Sequence, residues 1–93
     1  MSEENILKQI KKLDEQRQVL IKEIEHLDNR SCEIWDDIFE EEDSEEPDIE
    51  LIESLRTKVG EYELRMNRLI SQDTKLEFQI SSLKHKLKRS QGV

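Results

Sequence analysis

Apolar residues recur along the first part of the chain in steps of four and three: Ile6, Ile10, Leu13, Leu20, Ile24, Leu27, Ile34 and Ile38, with Arg17 and Ser31 filling the two steps that are not apolar. This is a heptad seam, the pattern of a helix packed lengthwise on another helix. With Ile10 and Ile24 at position a and Leu13, Leu20 and Leu27 at position d, both Arg17 and Ser31 fall at a. A second run follows the same rule through Ile52, Leu55, Val59, Tyr62, Met66, Leu69, Leu76, Ile80, Leu83 and Leu87, and its one polar step is Asp73.

Between the runs lies EEEDSEEPD, residues 40–48. Proline cannot continue a helix interior and a block of like charges repels itself, so the break falls there. Ser44 or Asp48 can cap the second helix, and Pro47 suits a first turn. The expected elements are a helix over about 3–42, an acidic turn over about 43–47 and a second helix over about 48–90, within one domain covering 1–93. Each helix is then roughly 40 residues, or ~60 Å at the α-helical rise.

A short turn joins antiparallel neighbours, so the predicted fold is all-α: a coiled-coil-like antiparallel two-helix hairpin, completing a bundle with a partner. The register supports it, because facing residues in such a hairpin have numbers that add to a nearly constant value. Ile10 faces Ile80, Leu13 faces Leu76, Leu20 faces Leu69, Ile24 faces Met66 and Ile38 faces Ile52. Arg17 and Asp73, the charged interruptions of the two seams, obey the same relation. They read as a partly buried ion pair that fixes register and orientation. The alternative is that both charged heads snorkel to solvent. Ser31 faces Val59 beside Cys32 and the mid-helix Gly60, a level of small residues where either a close approach or a tolerated exposed glycine is expected.

One seam leaves apolar residues over. Leu7, Ile21 and Trp35 occupy position e of the first helix at intervals of fourteen, and Ile70 occupies e of the second opposite Ile21. Leu64 and Phe78, also fourteen apart, sit at f, and Leu51 at g. Scattered surface hydrophobes are common in proteins, but heptad-multiple spacing favours a docking stripe for another helical surface.

Composition narrows the function. Charged residues make up 41% of the 93 positions, aromatic ones 4%, and there are two glycines and one proline, which suits long helices and leaves no phosphate-binding glycine loop. The net charge of −8 argues against nucleic acid as a ligand. No apolar run is long enough for a membrane span and no secretory leader is visible, so a cytoplasmic start is expected. Lone Cys32 has no internal disulfide partner, and His26 and His85 fall far apart along the hairpin. Neither a catalytic group, a metal site nor a cofactor is expected. The charge is also polarised: residues 33–53 hold twelve acidic side chains and no basic one, while Lys84, Lys86, Lys88 and Arg89 lie near the C-terminus. That run is either a solvated turn or a surface that steers a basic partner.

A chain of this length folded as one acidic hairpin, with Trp35 beside the turn in Ile34-Trp35-Asp36-Asp37-Ile38-Phe39, resembles the small helical proteins of the type VII secretion pathway of Gram-positive bacteria. In particular it resembles the small α-helical partners of LXG-domain toxins. Phe39 and Asp43 match the Phe-x-x-x-Asp spacing of some such partners, while Trp35 is followed by Asp36 and Asp37 rather than by the Trp-x-Gly of the wider WXG family. The resemblance implies a non-enzymatic chaperone or targeting factor. It would bind the helical N-terminal domain of a toxin, alone or with a second small helical partner, and be co-exported with it. Two other readings stay open: a self-associating structural or adaptor coiled coil that engages a second copy, and an acidic regulator that sequesters a basic protein.

Overall fold

The computed structural model describes residues 2–91 as two helices, α1 over Glu3–Glu42 and α2 over Ile49–Gln91, joined by a short turn. Together they form a rod with extents of 71 × 16 × 14 Å, the shape of an all-α hairpin. α1 begins at Ser2, which has an extended backbone and a side-chain oxygen that accepts the Asn5 N–H at 3.2 Å, and Glu3 and Glu4 in the first turn face the positive end of the helix dipole. Lys88 and Arg89 lie in the last turn of α2, where the carbonyl end is negative.

The turn is held by specific bonds. The Asp43 N–H donates to the Phe39 carbonyl, closing α1, and the Ser44 hydroxyl donates to the Glu41 carbonyl at 2.7 Å. The Glu41 carboxylate crosses the turn to accept the Asp48 N–H at 2.9 Å. Asp48 in turn caps α2, its Oδ1 accepting the Leu51 N–H. Pro47, expected in the first helical turn, stands instead one residue before the cap, because Asp48 takes the capping place and Ser44 is bound back to α1.

Burial along the seam is uneven. Ile34, Ile38 and Val59 form a closed cluster near the turn, against which Trp35, Ile52, Leu55 and Tyr62 pack. Leu27 and Ser31 are buried beside it. Among the described residues of the open half only Ile6 and Ile80 reach the same burial, and seam residues such as Leu13, Leu20, Leu69, Leu76 and Leu83 stay half-exposed. Two helices have no third neighbour to close over them there. The buried Ser31 hydroxyl has no hydrogen-bond partner among the described residues, a polar flaw inside the tight half.

Gly60 marks no close approach within the chain: a Cβ added there meets nothing within 4 Å. It is a tolerated glycine on the exposed side of α2. Gly60→Ala is therefore expected to stabilise the hairpin by about 1 kcal/mol, the helix-propensity difference, read as a higher urea midpoint at unchanged slope. Ile38→Ala, at the one fully buried large side chain, should do the reverse by about 2–5 kcal/mol.

Candidate interaction surface

The register of the hairpin is visible in one ion pair. Arg17 Nε donates to Asp73 Oδ1 at 2.8 Å and Arg17 Nη2 to Asp73 Oδ2 at 3.2 Å, a two-point contact across the seam with both side chains largely covered. The same Nη2 reaches Glu77, one turn further along α2. The hydrogen bond to Asp73 raises the Arg17 pKa above its ordinary value. Burial opposes it, and the charges of Asp73, Glu77 and Asp14 add to it. Of the two readings left open by the sequence, the paired one is what the structure contains; neither head snorkels away.

With register known, each outward position can be placed. On one flank, g positions face g positions, and Arg65 bonds Glu23 across the helices. On the other flank, e faces e, level by level. Asp14 stands opposite Glu77, Ile21 opposite Ile70, Asp28 opposite Glu63, and Trp35 opposite Arg56. Leu7 is 52% exposed and Ile70 48%, while Ile21 and Trp35 are half-buried. An open groove runs along this flank over Ile24, Met66 and Ile70, rimmed by Glu25, Asp28 and Glu63.

Leu64 and Phe78 are exposed at 54% and 72% but do not extend that stripe. At position f they project from the back of α2, roughly a quarter-turn or more around the helix from Ile70. Two exposed apolar residues escaped the sequence reading. Ile49, at 67%, is the first residue of α2 and falls at the e position preceding Arg56, so it belongs to the flank; its place beside the proline hides the period. Val19, at 66%, lies over the opposite groove with Gln16 and Gln72, alone in its period and so without a repeating signal.

Trp35 packs against the cluster of Ile34, Ile38 and Val59, as Leu55 also does, and its aromatic partner lies on its own helix. The indole stacks on Phe39, one turn along the same helix, with ring centroids 5.7 Å apart and planes at 27°. Arg56, the residue opposite Trp35 on α2, bonds the Glu42 carboxylate rather than the ring. A carboxylate at the turn outcompetes a ring face for an exposed guanidinium. Phe39 and Asp43 are both exposed, and their backbones share the last hydrogen bond of α1.

Cys32, His26 and His85 are exposed, and among the described residues no three His, Cys, Asp or Glu side chains gather as a metal site. No described helix is long and apolar enough to cross a membrane. No protein-family model, curated protein or solved structure matches the chain.

Reversing one charge of the central pair, Arg17→Asp or Asp73→Arg, should lower the thermal midpoint, since either leaves like charges facing each other in the seam. The double reversal should recover part of the loss. A non-additive cycle of that sign is the expected outcome of thermal melts followed by circular dichroism.

Proposed function

We propose that this chain is a non-enzymatic binding partner that lays the e flank of its hairpin against a helix of another protein. The observation that carries the reading is the flank itself: Leu7, Ile21, Trp35 and Ile70 repeat at heptad multiples and are left half-covered or open on a rod whose seam closes fully only near the turn. Apolar side chains in such a row lose most by facing water and gain most from one long helix laid along them.

The resemblance to small partners of LXG toxins supplies the identity of that helix. In this reading the chain binds the long helical N-terminal domain of such a toxin in the cytoplasm. It covers that domain's apolar face and helps deliver it to a type VII secretion machine. What supports this is the acidic hairpin architecture, with Trp35 stacked on Phe39 just before the turn and Phe39 spaced from Asp43 as in those partners.

Ile21→Asp combined with Ile70→Asp is expected to abolish co-purification with a co-expressed toxin domain. Neither residue belongs to the closed core, so the helical signal in circular dichroism should persist. If the occupant is instead a second copy, the same pair turns a dimer into a monomer in sedimentation. A double mutant that keeps both its partner and its oligomeric state refutes the flank as the docking surface.

A further inference from the structure

The flank is not only apolar. Along α1 its e positions alternate between apolar and acidic residues at seven-residue steps, Leu7, Asp14, Ile21, Asp28 and Trp35, and on α2 the middle of the series, Glu77, Ile70 and Glu63, does the same, with Lys84 and Arg56 at the steps beyond. Because the helices are antiparallel, the acids coincide. Asp14 meets Glu77 at one level and Asp28 meets Glu63 two heptads away, with Ile21 and Ile70 between them.

Like charges at facing positions weaken a two-helix pair, and the chain has the means to avoid them, as the Glu23–Arg65 pair on the other flank demonstrates. At the first level the repulsion is partly relieved from within, since Arg17 bonds Glu77 and lies close enough to Asp14 to feel its charge. At the second level nothing relieves it. None of the ion pairs among the described residues includes Asp28, Glu63 or Glu25, although these three carboxylates rim one groove.

The groove floor explains what would suit that rim. Ile24, Met66 and Ile70 offer an apolar track, and the carboxylates stand at its edges. A lysine or arginine fits both parts at once, its methylene stem along the track and its charged head between Asp28 and Glu63. We infer that the e flank docks a helix of another protein whose contact face carries Lys or Arg seven residues to either side of an apolar residue. The apolar residue sits on Ile21 and Ile70, and the basic ones meet the two acidic levels. The inference rests on the proposed docking role of this flank and specifies the chemistry of its partner.

A second copy fits poorly. The chain's own facing basic pair, Arg30 and Lys58, lies on the g flank about half a heptad nearer the turn than Asp28 and Glu63. Stacking two hairpins in register through these pairs would lay the charged Glu23–Arg65 pair on Ile21 and Ile70, burying ions against an apolar surface. No outward heptad position of either helix reads basic, apolar, basic; the nearest, Lys12, Val19 and His26, is followed by Glu33.

Two synthetic helical peptides of four heptads test this, one presenting Lys, Leu and Lys at successive heptads of one face and one presenting Glu, Leu and Glu. Fluorescence anisotropy should show the Lys peptide binding the full chain about tenfold or more tighter than the Glu peptide, with the preference shrinking as salt rises. Asp28→Lys with Glu63→Lys should remove most of the preference, leaving only what the Asp14 and Glu77 level supplies, and because it replaces one like-charged pair by another, hairpin repulsion stays comparable. Should that variant lose its helical signal, Asp28→Asn with Glu63→Gln serves, and is expected to reduce the preference severalfold while raising the thermal midpoint. Equal or absent binding of the two peptides overturns the inference. If both bind alike and Ile21→Asp with Ile70→Asp abolishes both, the docking flank survives and its basic partner does not. A wild-type dimer that Asp28→Lys with Glu63→Lys converts to a monomer overturns it in favour of a second copy.

Discussion

Every lateral feature of this molecule depends on one register, and the register is held by a guanidinium and a carboxylate inside an otherwise apolar seam. Slide one helix by a heptad and Arg17 would face Met66 or Ile80 instead of Asp73, leaving an unpaired charge against apolar side chains. Leucines at both positions would pack tightly in either register. The ion pair therefore contributes discrimination between alignments more than it contributes stability, in the way a single polar seam residue specifies a coiled coil. Once it is in place, Glu23 finds Arg65 on one flank, and Asp28 finds only Glu63 on the other.

The same two-helix geometry sets where the molecule is complete and where it is not. Near the turn, chain connectivity holds the helices together, and β-branched Ile34, Ile38 and Val59 close into a dry cluster with Trp35 and Tyr62 around it. Glu41 and Asp48 tie the connection by bonding across it. Away from the turn the seam is made mainly of leucines with water on both sides, which is a stable arrangement for a rod of this length but an open one. Of the exposed flank residues, Leu7 and Ile70 lie in that open part and Ile49 stands at the turn end, so a third helix laid over the open part would bury Leu7, Ile70 and the seam edges together.

Much of this was legible in the sequence, because heptad spacing reports directly on which side of a helix a residue occupies. The break at the acidic run, the antiparallel sense and the Arg17–Asp73 contact all follow from spacing and charge. What spacing could not give is competition between neighbours for the same group. Arg56 had two attractive partners, the Trp35 ring and the Glu42 carboxylate, and only coordinates show that the carboxylate holds it. Pro47 likewise could have opened α2 or preceded its cap; Asp48 decided it by bonding Leu51. Ile49 escaped because periodicity is weakest where a helix starts. Leu64 and Phe78 share the fourteen-residue interval of the flank but, at position f, not its angle.

Local consistency is otherwise high along this chain: capped helix starts, basic residues at the end of α2, an ion pair where the seam is polar, a cross-helix bond where g positions meet. Against that background the facing acids of the e flank are the place where the hairpin is built against its own stability. In the proposed complex a cation settling between Asp28 and Glu63 removes whatever repulsion these two exposed carboxylates exert in the free hairpin, so the same side chains that do not help the isolated state favour the bound one. They also act on choice. A purely apolar stripe would accept any amphipathic helix, whereas a stripe interrupted by paired carboxylates rejects one that brings acids of its own, including the acidic helices of a second copy.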